Sequence, residues 1–197
     1  MRRARNDLTL LLLGLALAAP AAHGRNLIAN GAFDDPDNPL KGWVTDYAWQ
    51  GNRHYVDNAS RVSVVPQESG RRNVAHLRSS NDAGTRLESM LIPFAQDGRY
   101  RATLRVKGGP YRIYFAGYQW QPGIRPHDEP TLQQMRQVYR SRAETGEASG
   151  WQTVSLEIPG VEASDLSLQH LRRVRFISLY IWFIRDGFVD DVAITTR

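Results

Sequence analysis

Between Tyr111 and Trp120 the residues alternate so that an extended chain would carry Arg112, Tyr114, Ala116, Tyr118 and Trp120 on one side. Ile113 and Phe115 would point the other way, toward a core. A row of rings with an arginine beside it has a definite chemistry. Sugar rings present apolar C–H faces that pack on aromatic rings, and their hydroxyls need polar neighbours. The row offers both at Arg112, Tyr114, Tyr118 and Trp120. Large aromatics also dominate ordinary burial, so packing is the competing reading at these positions. Tyr180 and Trp182 share one face of a later strand that is apolar on both sides, and there the core reading is favoured.

Two further groups carry chemistry. Arg101, Arg105 and Lys107 fall on the wet face of their strand, with Arg112 expected as a neighbour. Arginine grips carboxylate through its planar fork, so such a stripe suits carboxylated or sulfated sugars. The plainer alternative is a solvated strand face whose cations discourage edge pairing. After Trp120, the loop to Glu129 holds Arg125, His127, Asp128 and Glu129, an acid, a base and a cation close in sequence. Asp128 also has a capping role open to it. The sequence holds no Gly-x-Ser-x-Gly elbow, zinc-type histidine spacing, phosphate loop or cysteine. Paired carboxylates for glycoside cleavage can come from distant parts of a chain, and none stands out here. Asn58-Ala59-Ser60 is a glycosylation sequon.

Strands must position these residues. Tyr100, Ala102, Leu104 and Val106 alternate with Arg101, Thr103, Arg105 and Lys107, a strand with one dry and one wet face. Gly108-Gly109-Pro110 then reads as the turn of a hairpin into Tyr111–Trp120. Further strands are expected near 61–65, 73–79, 86–94, 151–158, 176–184 and 188–195. Residues 26–33 are a short apolar segment with an Asn-Gly turn signal. The spacing of Leu132, Met135 and Tyr139 or Val138 predicts a helix over 128–140, inside an insertion spanning 121–150. A second short helix is expected near 164–170. Many short strands separated by turns argue for a sandwich or barrel.

The amino terminus has the order of a cleavable export signal. Arg2, Arg3 and Arg5 precede an apolar run from Leu8 to Ala19, with small residues through Ala22. The run is short of the ~20 residues that span a bilayer. We therefore expect a signal peptide over residues 1–24 and one domain over 25–197, with periplasmic or secreted localisation. Without the leader the chain keeps 22 of its 25 basic and 19 of its 20 acidic residues, a net charge of +3. Its arginines are dispersed, which argues against nucleic acid as the partner. An acidic glycan stays open. The chain has no cysteine, so no disulfide framework supports it.

Asn26-Leu27-Ile28-Ala29-Asn30-Gly31-Ala32-Phe33-Asp34, followed by Gly42-Trp43, resembles the opening of carbohydrate-binding modules of the galactose-binding-like superfamily. Val189-Asp190-Asp191-Val192 resembles their closing strand. Tyr100–Lys107 and Trp151-Gln152-Thr153-Val154 resemble two strands between. The resemblance covers the domain in order, except for the 121–150 insertion. It implies an all-β fold, an antiparallel jelly-roll β-sandwich, here with a short helical insertion. It also implies a structural calcium joining the opening acidic residue to the last strand, which would be Asp34 with Asp190 or Asp191. The expectation is an exported, non-catalytic protein that holds a poly- or oligosaccharide on an aromatic face. The alternatives are an envelope protein–protein interaction module and a glycan-active hydrolase or lyase.

Overall fold

The computed structural model describes residues 24–52, 55–79, 83–160 and 164–197, so the expected signal segment lies outside the described residues. Strands run in the order β1 (Trp43–Val44), β2 (Val62–Glu68), β3 (Arg71–Leu77), β4 (Thr85–Ser89), β5 (Ile92–Pro93), β6 (Tyr100–Trp120), β7 (Met135–Arg140) and β8 (Glu144–Ile158). Helix α1 (Asp165–Leu171), β9 (Phe176–Phe183) and β10 (Gly187–Thr196) complete the chain. Every pairing is antiparallel.

The expected hairpin at Gly108-Gly109-Pro110 is absent. Residues 100–120 form one long strand that bends there and passes from one layer to another. Its first half pairs with β10 and its second half with β9 and β7, while β8 follows it from Tyr100 past the bend to Ile113. The decision is made by the chain alongside. Residues 176–196 run antiparallel to the whole of β6, and their connecting turn bonds its corner. Gly109 N donates to Asp186 O at 3.2 Å, and Ile184 N to Pro110 O at 2.9 Å. Gly108 sits at φ 93°, and a Cβ there would meet Asp186 O at 2.4 Å, so the corner requires glycine.

The bend folds the sheet over on itself. One layer has the order β2-β3-β10-β6-β8, the other β1-β4-β9-β6-β7 with β5 also beside β9. Leu104, Val106, Val189 and Ile194 from the first meet Leu87, Ile113, Phe115, Leu179 and Ile181 from the second in one buried cluster. Fully burying a side chain of this size contributes about 2 kcal/mol. The architecture is the expected all-β antiparallel sandwich, and it fits a jelly roll.

The opening motif is a clasp rather than a strand. Asn26 Oδ1 accepts from Ile28 N and Ile194 N, each at 3.0 Å, and Leu27 N donates to Ile194 O at 2.8 Å. Asn30 O accepts from Trp43 Nε1 at 2.9 Å, and the Trp43 and Phe33 rings pack 5.1 Å apart. The first residues of the domain are thereby sewn to the last strand.

The short helix near 164–170 forms as α1, with Ser164 Oγ accepting from Ser167 N at 3.2 Å. The helix expected over 128–140 does not form. A single 3-10 turn at Leu132–Gln134 leads into β7. Pairing of β7 with β6 slips at Gly117/Tyr118, leaving Val138 as the extra residue of a bulge. The bulge sends Met135 and Tyr139 to opposite faces of the sheet. Their four-residue spacing looks helical but marks a broken strand.

Candidate functional site

The face of the second layer turned away from the core is built by cross-strand register. Arg86, Trp182 and Arg112 lie in one row across β4, β9 and β6, and Glu88, Tyr180 and Tyr114 in the next. Ser178 pairs with Ala116 and Phe176 with Tyr118, while Trp120 faces Met135 on β7. Strict alternation keeps Ile113, Phe115, Leu179 and Ile181 on the opposite, core side.

Arg112, Tyr114, Tyr118 and Trp120 thus share a face, but not an open aromatic row. Tyr114 and Tyr118 are each only 8% exposed, whereas Arg112 is exposed and Trp120 half-buried. Tyr114 stacks on Tyr180 at 4.6 Å, with the Arg140 guanidinium 5.6 Å from its ring centre. Tyr118 turns its hydroxyl inward to Glu88 Oε1 at 2.5 Å. The half-buried rings at the surface include Tyr180 and Trp182, which the sequence favoured as core. Arg112 lies over Trp182 at 5.5 Å, and Trp182 Nε1 donates to Ala83 O at 2.9 Å.

Tyr118 is covered because a polar cluster fills one end of the face. Glu88 is 2% exposed and accepts from Ser178 Oγ at 2.5 Å, Tyr118 at 2.5 Å and Tyr47 Oη at 3.2 Å. Burial pushes its carboxyl above the usual carboxylate range, and these donors with Arg86 pull it back. The Arg86 guanidinium lies between the Tyr47 and Tyr55 rings, 3.5 and 3.6 Å from their centres. Both rings belong to the segment between β1 and β2. Asn58 anchors that segment, donating to Thr45 O at 2.7 Å and Arg86 O at 2.9 Å. With its amide nitrogen engaged and no exposure, Asn58 is unavailable as a glycan acceptor.

The stripe on β6 is largely neutralised. Arg101 Nη2 and Arg197 Nη1 each reach Glu157 Oε1 at 2.8 Å, and Lys107 Nζ reaches Glu68 Oε1 at 2.6 Å. Because β6 does not turn back, Arg112 is no cross-hairpin neighbour of this stripe. In the loop after Trp120, Arg125, His127, Asp128 and Glu129 are all exposed. The His127 ring packs 4.9 Å from Trp120, and among the described residues no ion pair joins the four.

Asp34, Asp190 and Asp191, the residues expected to hold a calcium, line one hollow together with Arg71. Among the described residues no group of three metal-ligating side chains comes together. Asp190 Oδ2 accepts from Arg71 Nε at 2.5 Å, and a second Arg71 nitrogen bonds Asp191. Burial raises the Asp190 carboxyl above its ordinary range, while the Arg71 contact draws it down. Arg71 also lies 5.4 Å from the Trp151 ring centre. Asp34 is exposed at the rim of the same hollow. Arg71 thus takes one oxygen of Asp190 and one of Asp191, and Asp190 Oδ1 accepts from Asp191 N at 2.7 Å.

Where β8 stops pairing with β6 at Ile113 and β7 starts at Ala116, the edge of the sheet opens into a groove of about 870 Å³. Its lining includes Arg101, Arg112, Arg140 and Arg142, with Glu144 and Glu157 as the acidic residues.

No protein-family model matches this chain, and no curated protein matches its sequence. Solved structures resemble it in shape. A CBM4 structure has a TM-score of 0.45 and 12% identity, over 86% of this chain and 99% of that one. TmCBM61, in complex with β-1,4-galactotriose, has a TM-score of 0.45 and 16% identity, over 88% and 99%. The enzymatically active domain of bacteriophage CBA120 tailspike protein 4 has a TM-score of 0.47 and 10% identity, over 87% and 21%.

Proposed function

We propose that the protein is an exported, non-catalytic carbohydrate-binding protein that holds a poly- or oligosaccharide on the outer face of its second layer. The observation that carries this reading is the pairing of rings with guanidiniums there. Trp182 and Tyr180 are half-buried, with Arg112 against the first and Arg140 against the Tyr114 ring stacked on the second. Half-covered rings supply flat apolar surface, and the arginines supply donors for ring hydroxyls. The site is therefore centred on Arg112, Tyr180 and Trp182, with Trp120 at the far end of the same face. Tyr114 and Tyr118 support it from beneath. Glu88 is a poor general acid or base, because it is buried and its oxygens are held by three hydroxyls.

Affinity electrophoresis through gels containing soluble polysaccharides tests the reading. The wild-type protein should be retarded by at least one polymer, and Trp182→Ala and Tyr180→Ala should restore free migration. Retardation that both variants keep in full would remove this face as the site. Export is tested by expression in a secreting host with sequencing of the product's amino terminus. Cleavage after Ala22 or Gly24 is expected; an intact leader on cytoplasmic protein counts against it.

A further inference from the structure

We infer that the bound saccharide is acidic, with its carboxylate or sulfate groups held in the groove by Arg112 and Arg140. This rests on the saccharide reading above and names its chemical class. The groove opens at the edge of the proposed face and shares Arg112 with it. Its lining sets four arginines against two glutamates. Of these, Glu157 is already shared by Arg101 and Arg197.

Arg112 and Arg140 differ from the other cations. Both are exposed, and among the described residues neither has a carboxylate partner. Each is instead braced on a ring, Arg112 on Trp182 and Arg140 on Tyr114. Such bracing limits the arginine's rotamers and leaves its forked N–H groups for a ligand. The backbone fixes where they start. Arg112 pairs with Trp182 on one side and Thr145 on the other, and Arg140 pairs with Ala116. Phe115 N donates to Ser141 Oγ at 2.9 Å and Ser141 N to Phe115 O at 3.0 Å, which locks the rim between them. Two guanidiniums on one rim, beside exposed ring surface, match a sugar chain that carries planar or tetrahedral oxyanions.

Affinity electrophoresis compares polygalacturonate and dextran sulfate with unsubstituted dextran, galactan and hydroxyethylcellulose. Wild type should bind one acidic polymer about tenfold or more tightly than any neutral one, and the affinity should fall steeply between low and ~0.3 M salt. Preference for polygalacturonate assigns carboxylate, and preference for dextran sulfate assigns sulfate. Arg112→Gln with Arg140→Gln should lose the acidic preference. Arg185→Gln, at an exposed arginine outside the groove, should keep it. Equal or tighter binding of a neutral polymer overturns the acidic class and leaves the saccharide reading intact. An equal loss in the Arg185 variant, or equal retention of an oligonucleotide, means unspecific charge attraction and also overturns it. Folded protein retarded by none of the polymers overturns both readings.

Discussion

Arg71 of β3 holds Asp190 of β10 through a 2.5 Å bond from Nε to Oδ2, and the same guanidinium reaches Asp191. The guanidinium thereby ties the start of β3 to the middle of β10. Arg71→Ala would leave the buried Asp190 carboxylate unpaired and should cost about 3 kcal/mol. Neither millimolar calcium nor a chelator should move the wild-type Tm in calorimetry. A clear rise in Tm with calcium would show that the carboxylates can exchange Arg71 for metal.

Glu88 should make stability depend on pH. Its folded carboxyl titrates above the ordinary carboxylate range, because burial disfavours the charged form. The folded state then binds a proton that the unfolded state has already released. Its contribution is therefore complete below the ordinary carboxylate range and is lost as pH rises through the folded value. In Glu88→Gln that dependence should vanish. Urea unfolding of both proteins from pH 4 to pH 8 should show wild type gaining on the variant as pH falls. A difference that stays flat, or grows with pH, would refute the assignment.

Tyr118 and Trp182 should separate stability from binding. The Tyr118 hydroxyl is spent on Glu88, so Tyr118→Phe should lower stability by about 1–3 kcal/mol and leave polysaccharide retention unchanged. Trp182→Ala should reduce retention by about tenfold or more with a smaller stability loss. Reversal of this pattern would move the site toward Tyr118.

Gly108 should be intolerant. An alanine would be strained at φ 93° and would press its Cβ on Asp186 O, so Gly108→Ala should cost about 2–3 kcal/mol in thermal unfolding. An unchanged Tm would mean that the corner relaxes freely.

Local pattern revealed what local physics decides. The alternation over Tyr100–Lys107 and the short helix near 164–170 are read within a few residues, and both appear as expected. Whether Gly108-Gly109-Pro110 reverses the chain or bends it depends on the 184–187 turn packed alongside, which no short window contains. The bulge at Val138 disguised β7 as a helix for the same reason. At the site, alternation correctly grouped Arg112, Tyr114, Tyr118 and Trp120, but exposure is set by Tyr47 and Tyr55 arriving from a distant segment. One signal was present. Arg86 and Glu88 flank Leu87 in a short strand whose every residue is buried, and charges so placed must have partners.

The bent β6 also dictates when the molecule can assemble. All of its neighbours, β7, β8, β9 and β10, lie later in the chain. A nascent chain that has just emitted β6 has nothing to lay beside it, and both layers stay open until β9 and β10 have left the ribosome. Non-local pairing of this kind folds slowly. Vectorial synthesis should therefore yield a loose domain until β9 and β10 are made, with closure a late, all-or-nothing event keyed to β10.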